Sequence, residues 1–137
     1  MGRARKLLAL AAPERALLVQ AWALLVVADL ALRSLSPARV LALPARALGR
    51  PRPAGTEPDA RRLGWLVSVA ARHAPVDATC LTQALVVAWL LARRGVPATV
   101  RIGVARRDGA LGAHAWVERD GAVVFDTAGA DRYEALR

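Results

Sequence analysis

Thr79-Cys80-Leu81-Thr82-Gln83-Ala84-Leu85-Val86-Val87-Ala88-Trp89-Leu90-Leu91-Ala92-Arg93-Arg94-Gly95-Val96-Pro97 is free of proline and glycine until its end, where a glycine followed by a proline matches a helix stop. The run predicts a helix with Thr79 or Asp77 as its N-cap and an apolar stripe of Leu81, Leu85, Ala88, Trp89 and Ala92. Arg93 and Arg94 fall in the last turn, where cations meet the negative end of the helix dipole. A helix of this character belongs in the centre of a core. It also carries the only cysteine of the chain, Cys80, in its first turn.

Downstream the period changes to two. Val100, Ile102 and Val104 alternate with Thr99, Arg101 and Gly103, which predicts a strand, and Arg106 to Gly109 reads as a loop. Ala113 to Glu118 and Ala122 to Asp126 read as the arms of a hairpin around Asp120-Gly121. Upstream, Arg61 to His73 has helical spacing, with Leu63, Leu66, Val67 and Ala70 on one stripe and Ala74-Pro75 as its stop. Gly49 to Asp59 holds three prolines and two glycines without apolar periodicity and reads as an exposed linker. The boundary near residue 55 separates an N-terminal helical region, 1–55, from a core domain, 56–137. In the first part, a helix runs from about Pro13 to Leu35, is stopped by Ser36-Pro37, and is followed by a shorter one over Ala38 to Leu48. The fold class is α+β: N-terminal helices, then a Cys80-bearing helix packed on a small antiparallel sheet.

The chain has 137 residues, 55% of them hydrophobic, enough for one domain to bury a core without disulfide staples. The net charge of +9 is almost entirely arginine, because Lys6 is the only lysine, and the arginines are scattered. Trp22, Trp65, Trp89, Trp116, Phe125 and Tyr133 form no stacking module beside them. We therefore expect a solvated basic surface and no nucleic-acid partner, with an acidic protein or peptide as the alternative. One cysteine excludes an intramolecular disulfide, and His73 and His114 are too far apart in sequence for ligand spacing. With no phosphate-cradling glycine motif either, no metal or cofactor is expected. Arg3, Arg5 and Lys6 precede an apolar stretch that Pro13-Glu14 ends too early for a secretory signal. Ala16 to Leu32 is interrupted by Gln20 and Asp29 and is barely long enough to span a bilayer. The expectation is a buried helix in a cytoplasmic protein, with membrane association as the minority alternative.

Three residues carry the candidate chemistry. At the start of its helix, the Cys80 thiol meets unpaired backbone N–H groups and the positive end of the dipole, which favour the nucleophilic thiolate. Standing alone, a cysteine there is equally well a buried filler. His114 tips the balance, since it begins the strand Ala113-His114-Ala115-Trp116-Val117 and can face a helix terminus packed on the sheet. An imidazole so placed can take the thiol proton and return it to a leaving amine. His73, near a helix end before Pro75, reads as a surface or capping residue. Asp126 is the candidate for orienting His114, and hairpin register tests it. A two-residue turn at Asp120-Gly121 sets Arg119 opposite Ala122 and turns Asp126 away from His114. A three-residue loop, Arg119-Asp120-Gly121, sets Asp126 directly opposite His114, and Gly121 suits the left-handed position of the G1 bulge such a loop needs. The longer loop is therefore expected, with Asp131 as the competitor for the orienting role.

Cys80-Leu81-Thr82-Gln83-Ala84-Leu85, Arg93-Arg94-Gly95-Val96-Pro97-Ala98, Arg101-Ile102-Gly103-Val104 and Ala113-His114-Ala115-Trp116-Val117 together resemble the transglutaminase-like B2 proteins of lasso peptide biosynthesis. The C-terminal half carries the likeness; the leucine-rich N-terminal part is similar in character only. The resemblance implies a transglutaminase/papain-like cysteine-protease core and a leader peptidase with Cys80 as nucleophile, His114 as base and Asp126 as orienting acid. It further implies that the substrate is a precursor peptide carrying a leader, that a separate B1 protein binds this leader, and that a macrolactam-forming cyclase acts next. Backbone N–H groups at the start of the Cys80 helix would hold the oxyanion; Gln83, one turn in, is a conceivable extra donor. Two other readings compete: a transglutaminase-like acyltransferase or amidase, in which only the acceptor differs, and a non-catalytic adaptor docking on a membrane or cyclase through its N-terminal helices.

Overall fold

The computed structural model describes residues 12–46, 60–76, 78–107, 109–127 and 134–135. Four helices precede the sheet: α1, Ala12–Ser34; α2, Pro37–Arg46; α3, Ala60–Arg72; and α4, Cys80–Arg93. The strands are β1, Thr99–Arg107; β2, Ala110–Arg119; β3, Ala122–Phe125; and β4, Glu134–Ala135, in the spatial order β3-β2-β1-β4. Every described pairing is antiparallel. The expected α+β class, helices followed by a small antiparallel sheet, is what the chain adopts. The expected linker and the boundary at residue 55 lie outside the described residues, as does Asp131.

Helix α4 forms where its sequence pattern requires it. Thr79 is the N-cap, in extended conformation, and its side chain accepts the Thr82 N–H. At the other end Gly95, at a φ of 79°, takes the left-handed conformation that ends the helix. Nine of the 14 residues of α4 are buried. Val87, Leu90 and Leu91 meet Leu63 and Val67 of α3, Ala115 and Val117 of β2 and Phe125 of β3 in one core. Each such fully buried aliphatic side chain contributes about 1.5–3 kcal/mol. Helix α3 approaches the sheet at Gly64, where an added Cβ would stand 2.5 Å from the Phe125 ring. The missing side chain at 64 thus lets the end of β3 seat on α3.

Two sequence expectations about the loops need correction. Strands β1 and β2 continue toward one another until Arg107 pairs with Ala110, so Arg106 and Arg107 of the expected loop are strand. The ladder's hydrogen bonds outweigh the weak apolar signal there. The second correction concerns the β2–β3 hairpin. Arg119 pairs with Ala122, so the turn has two residues, and Asp120 and Gly121 both have positive φ, 52° and 79°. This is a type I′ turn, whose twist matches the strands and which an Asp-Gly pair favours. The expected three-residue loop does not form.

Helix α1 also departs from expectation. Ala21 and Leu25 join the core and Asp29 is buried, but only 17% of the helix's apolar window is. Among the described residues its main contacts are with the other three helices, and a helix apolar on most faces keeps much of that surface outside. It is pinned to α3 by the Glu14–Arg62 ion pair and to the end of α3 by a hydrogen bond from Trp22 Nε1 to the His73 carbonyl, 3.0 Å. His73 itself is exposed, as expected of a capping position.

Candidate active site

Cys80 is the first residue of α4 and is half-buried. The turn before it is held at several points. Thr79 Oγ1 accepts from the Thr82 N–H at 3.3 Å and lies 3.0 Å from Thr82 Oγ1. The Gln83 N–H donates to the Thr79 carbonyl at 3.0 Å, and Gln83 Nε2 donates to the Ala78 carbonyl at 2.8 Å. These bonds take up the N–H groups of Thr82 and Gln83. Those of Cys80 and Leu81, in the first turn, have no intrahelical acceptor and point where an anion would be stabilised. The Gln83 amide, considered from sequence as an oxyanion donor, instead clamps the backbone ahead of the thiol.

His114 and Asp126 are brought together: His114 Nε2 lies 2.5 Å from Asp126 Oδ1. Because an ionised carboxylate only accepts, Nε2 carries the proton of this bond. The route to the contact is not the one expected. Past the two-residue turn, Glu118 pairs with Val123, but Val117 pairs with Phe125, so Val124 is an extra residue on β3. The two-residue turn alone would have faced Asp126 away from His114. The bulge at Val124 adds one to the register and restores the face, leaving Asp126 diagonal to His114 rather than directly opposite. On its other side His114 pairs with Gly103 of β1, which offers no side chain to crowd the imidazole.

Burial is high around the pair, with His114 only 5% exposed and Trp116 4%. Trp116, two residues along the same strand face, stacks on His114 with ring centroids 6.0 Å apart and an interplanar angle of 29°. Its buried Nε1–H has no hydrogen-bond acceptor among the described residues. Sequence reading took Trp116 only as part of a motif. The signal for its role was its spacing, since residues i and i+2 of a strand share a face.

Cys80 joins His114 and Asp126 at the level of elements. Helix α4 packs on β2, and Cys80 itself packs against the shared core. An open cavity of about 370 Å³ bridges the two halves, lined by Ala78 and Gln83 from the α4 end, Asp126 and Thr127 from the hairpin, and Ser68, Ala71 and Arg72 from α3. The arrangement offers a thiol at a helix N-terminus, an imidazole oriented by a carboxylate, and an open cleft that reaches Asp126. These are the parts of a nucleophilic acyl-transfer site.

A family model described as Transglutaminase-like superfamily matches residues 22–137. No curated protein and no solved structure gives a match to the chain.

Proposed function

The chain belongs to the transglutaminase-like superfamily, and from that premise we propose that it is a cysteine peptidase acting through Cys80, His114 and Asp126. The observation that carries the reading is the His114–Asp126 hydrogen bond, achieved only through the bulge at Val124. It fixes the imidazole so that Nε2 is committed to the carboxylate and Nδ1 is the nitrogen to accept the thiol proton.

The Cys80 thiolate adds to the scissile carbonyl, and the N–H groups of the first turn of α4 stabilise the oxyanion. The imidazolium at His114 gives its proton to the departing amine as the C–N bond breaks, leaving a thioester on Cys80. Water, deprotonated by His114, then hydrolyses the thioester and returns the thiol. Asp126 stays ionised and stabilises the imidazolium formed in each half-reaction. Burial of His114 beneath Trp116 shields this proton exchange from bulk solvent.

The substrate in this reading is the precursor of a lasso peptide. The likeness of the Cys80, Arg93-to-Ala98, Arg101-to-Val104 and Ala113-to-Val117 stretches to the B2 leader peptidases supports it. A separate B1 protein would present the leader, the cleavage would free the core N-terminus in the cytoplasm, and a cyclase would close the macrolactam. The test combines the protein with its precursor and a leader-binding partner, and weighs the products for wild type, Cys80→Ala and Asp126→Ala. Cleavage that persists in Cys80→Ala would restore the adaptor reading. Efficient cleavage by wild type without the partner would remove the split system, and an adduct with an added primary amine in place of the free acid would make the enzyme an acyltransferase.

A further inference from the structure

The solvent face of α1 presents Ala16, Val19, Ala23, Val27 and Leu30 at helical spacing, and Val19, Val27 and Leu30 are 66%, 59% and 56% exposed. The apolar surface does not stop there. A cavity of about 160 Å³ beside it, lined by Leu24, Val27, Leu43 and Trp89 among others, carries it across to α2, where Leu43 is also exposed. Continuous apolar surface on this scale marks a docking face.

Charge identifies what docks. Both acidic side chains of α1 are compensated, Glu14 by Arg62 and Asp29 by Arg33. Arg15 and Arg33, about five turns apart, stand along the same flank of the stripe, both exposed, and Arg39 is exposed on α2. The whole chain carries a net charge of +9. An apolar stripe edged by arginines, with its acids neutralised, matches a helix lying in the plane of a membrane interface. By length and composition α1 could also cross a bilayer. Crossing, however, would pull Ala21, Leu25 and Asp29 out of the packing against α3 and α4. We propose that α1 lies flat on an anionic bilayer, Val19, Val27 and Leu30 reaching the acyl-chain boundary and Arg15 and Arg39 at the lipid phosphates. This inference stands apart from the catalytic reading and survives its failure.

Sedimentation with phosphatidylcholine vesicles containing about one quarter phosphatidylglycerol tests it. Wild type is expected to pellet with these vesicles and to bind pure phosphatidylcholine at least about tenfold more weakly, with the difference closing near 1 M salt, where charges are screened beyond ~3 Å. The double variant Val27→Glu/Leu30→Glu loses at least about tenfold in vesicle affinity. Both positions are exposed, so its circular dichroism and melting temperature should remain those of wild type; a shifted melt moves the comparison to Val27→Gln/Leu30→Gln. Three results would overturn the proposal: wild type left in the supernatant, equal pelleting of the variant, or a dimer in light scattering that the variant dissolves, which would make a second copy the cover.

Discussion

Helices α1 and α4 draw on the same residues, chiefly Ala, Leu and Val with one Trp and one Gln each. Yet nine of the 14 residues of α4 are buried, against 17% of the apolar window of α1. The difference comes from their neighbours. Helix α4 touches the other three helices and both β1 and β2, so most of it meets apolar surface. Among the described residues, helix α1 has its main contacts with helices and leaves Val19, Val27 and Leu30 exposed. Apolar composition sets how much surface asks to be covered; topology decides which part the chain itself can cover. In the central helix that coverage holds a thiol in place, and in the outer helix its absence leaves a surface for something else.

The contrast is sharpest at Cys80. Cys80→Ala should lower cleavage by at least about 10⁴-fold, whereas Val27→Ala should leave the rate on a soluble peptide within about twofold, as measured by product formation under saturating substrate. The same contrast in stability is read by urea unfolding. Leu90→Ala, at a fully buried position of α4, should cost about 2–5 kcal/mol, and Leu30→Ala, on the open face of α1, no more than about 0.5 kcal/mol. Equal losses at the two positions would mean that α1 is covered in the isolated protein. Gly64→Ala probes what positions the other half of the site. Its methyl meets the Phe125 ring, and overpacking should cost about 1–3 kcal/mol while displacing the adjoining Asp126; a slowed rate with undiminished stability would show that Phe125 moves aside and carries the carboxylate with it. A smaller loss than at Leu90 is expected at Thr79→Ala, where removal of the cap should cost about 1 kcal/mol in the same unfolding measurement.

Cys80 and its helix were legible in sequence because the determinants are local: a threonine cap, an uninterrupted apolar run and a glycine stop. His114 was legible as a strand-borne imidazole, and its pairing with Asp126 was reached by the right parity through the wrong loop. Turn length was misjudged because Gly121 suits both a G1 bulge and a type I′ turn, and the residue that breaks the tie, Val124, is an ordinary strand former that carries no bulge signal. The role of Gly64 was hidden because its reason is a ring on another element, 61 residues ahead in the chain. The outward face of α1 was unreadable for a related reason. Nothing local distinguishes an apolar helix that will be surrounded from one that will run out of neighbours.

The bulge at Val124 makes this site sensitive to where its strand changes length. Deleting Val124 would remove the bulge and keep the register beyond it: Phe125 would still oppose Val117, and Asp126 would stay on the His114 face. Inserting one residue between Phe125 and Asp126 would instead turn the carboxylate to the opposite side of the ribbon, away from His114. The extra residue is therefore slack in the strand: the hairpin can lose that position and still present its carboxylate, whereas a position added after it silences the pair. Comparing the Val124 deletion with a single insertion after Phe125 would read that asymmetry directly.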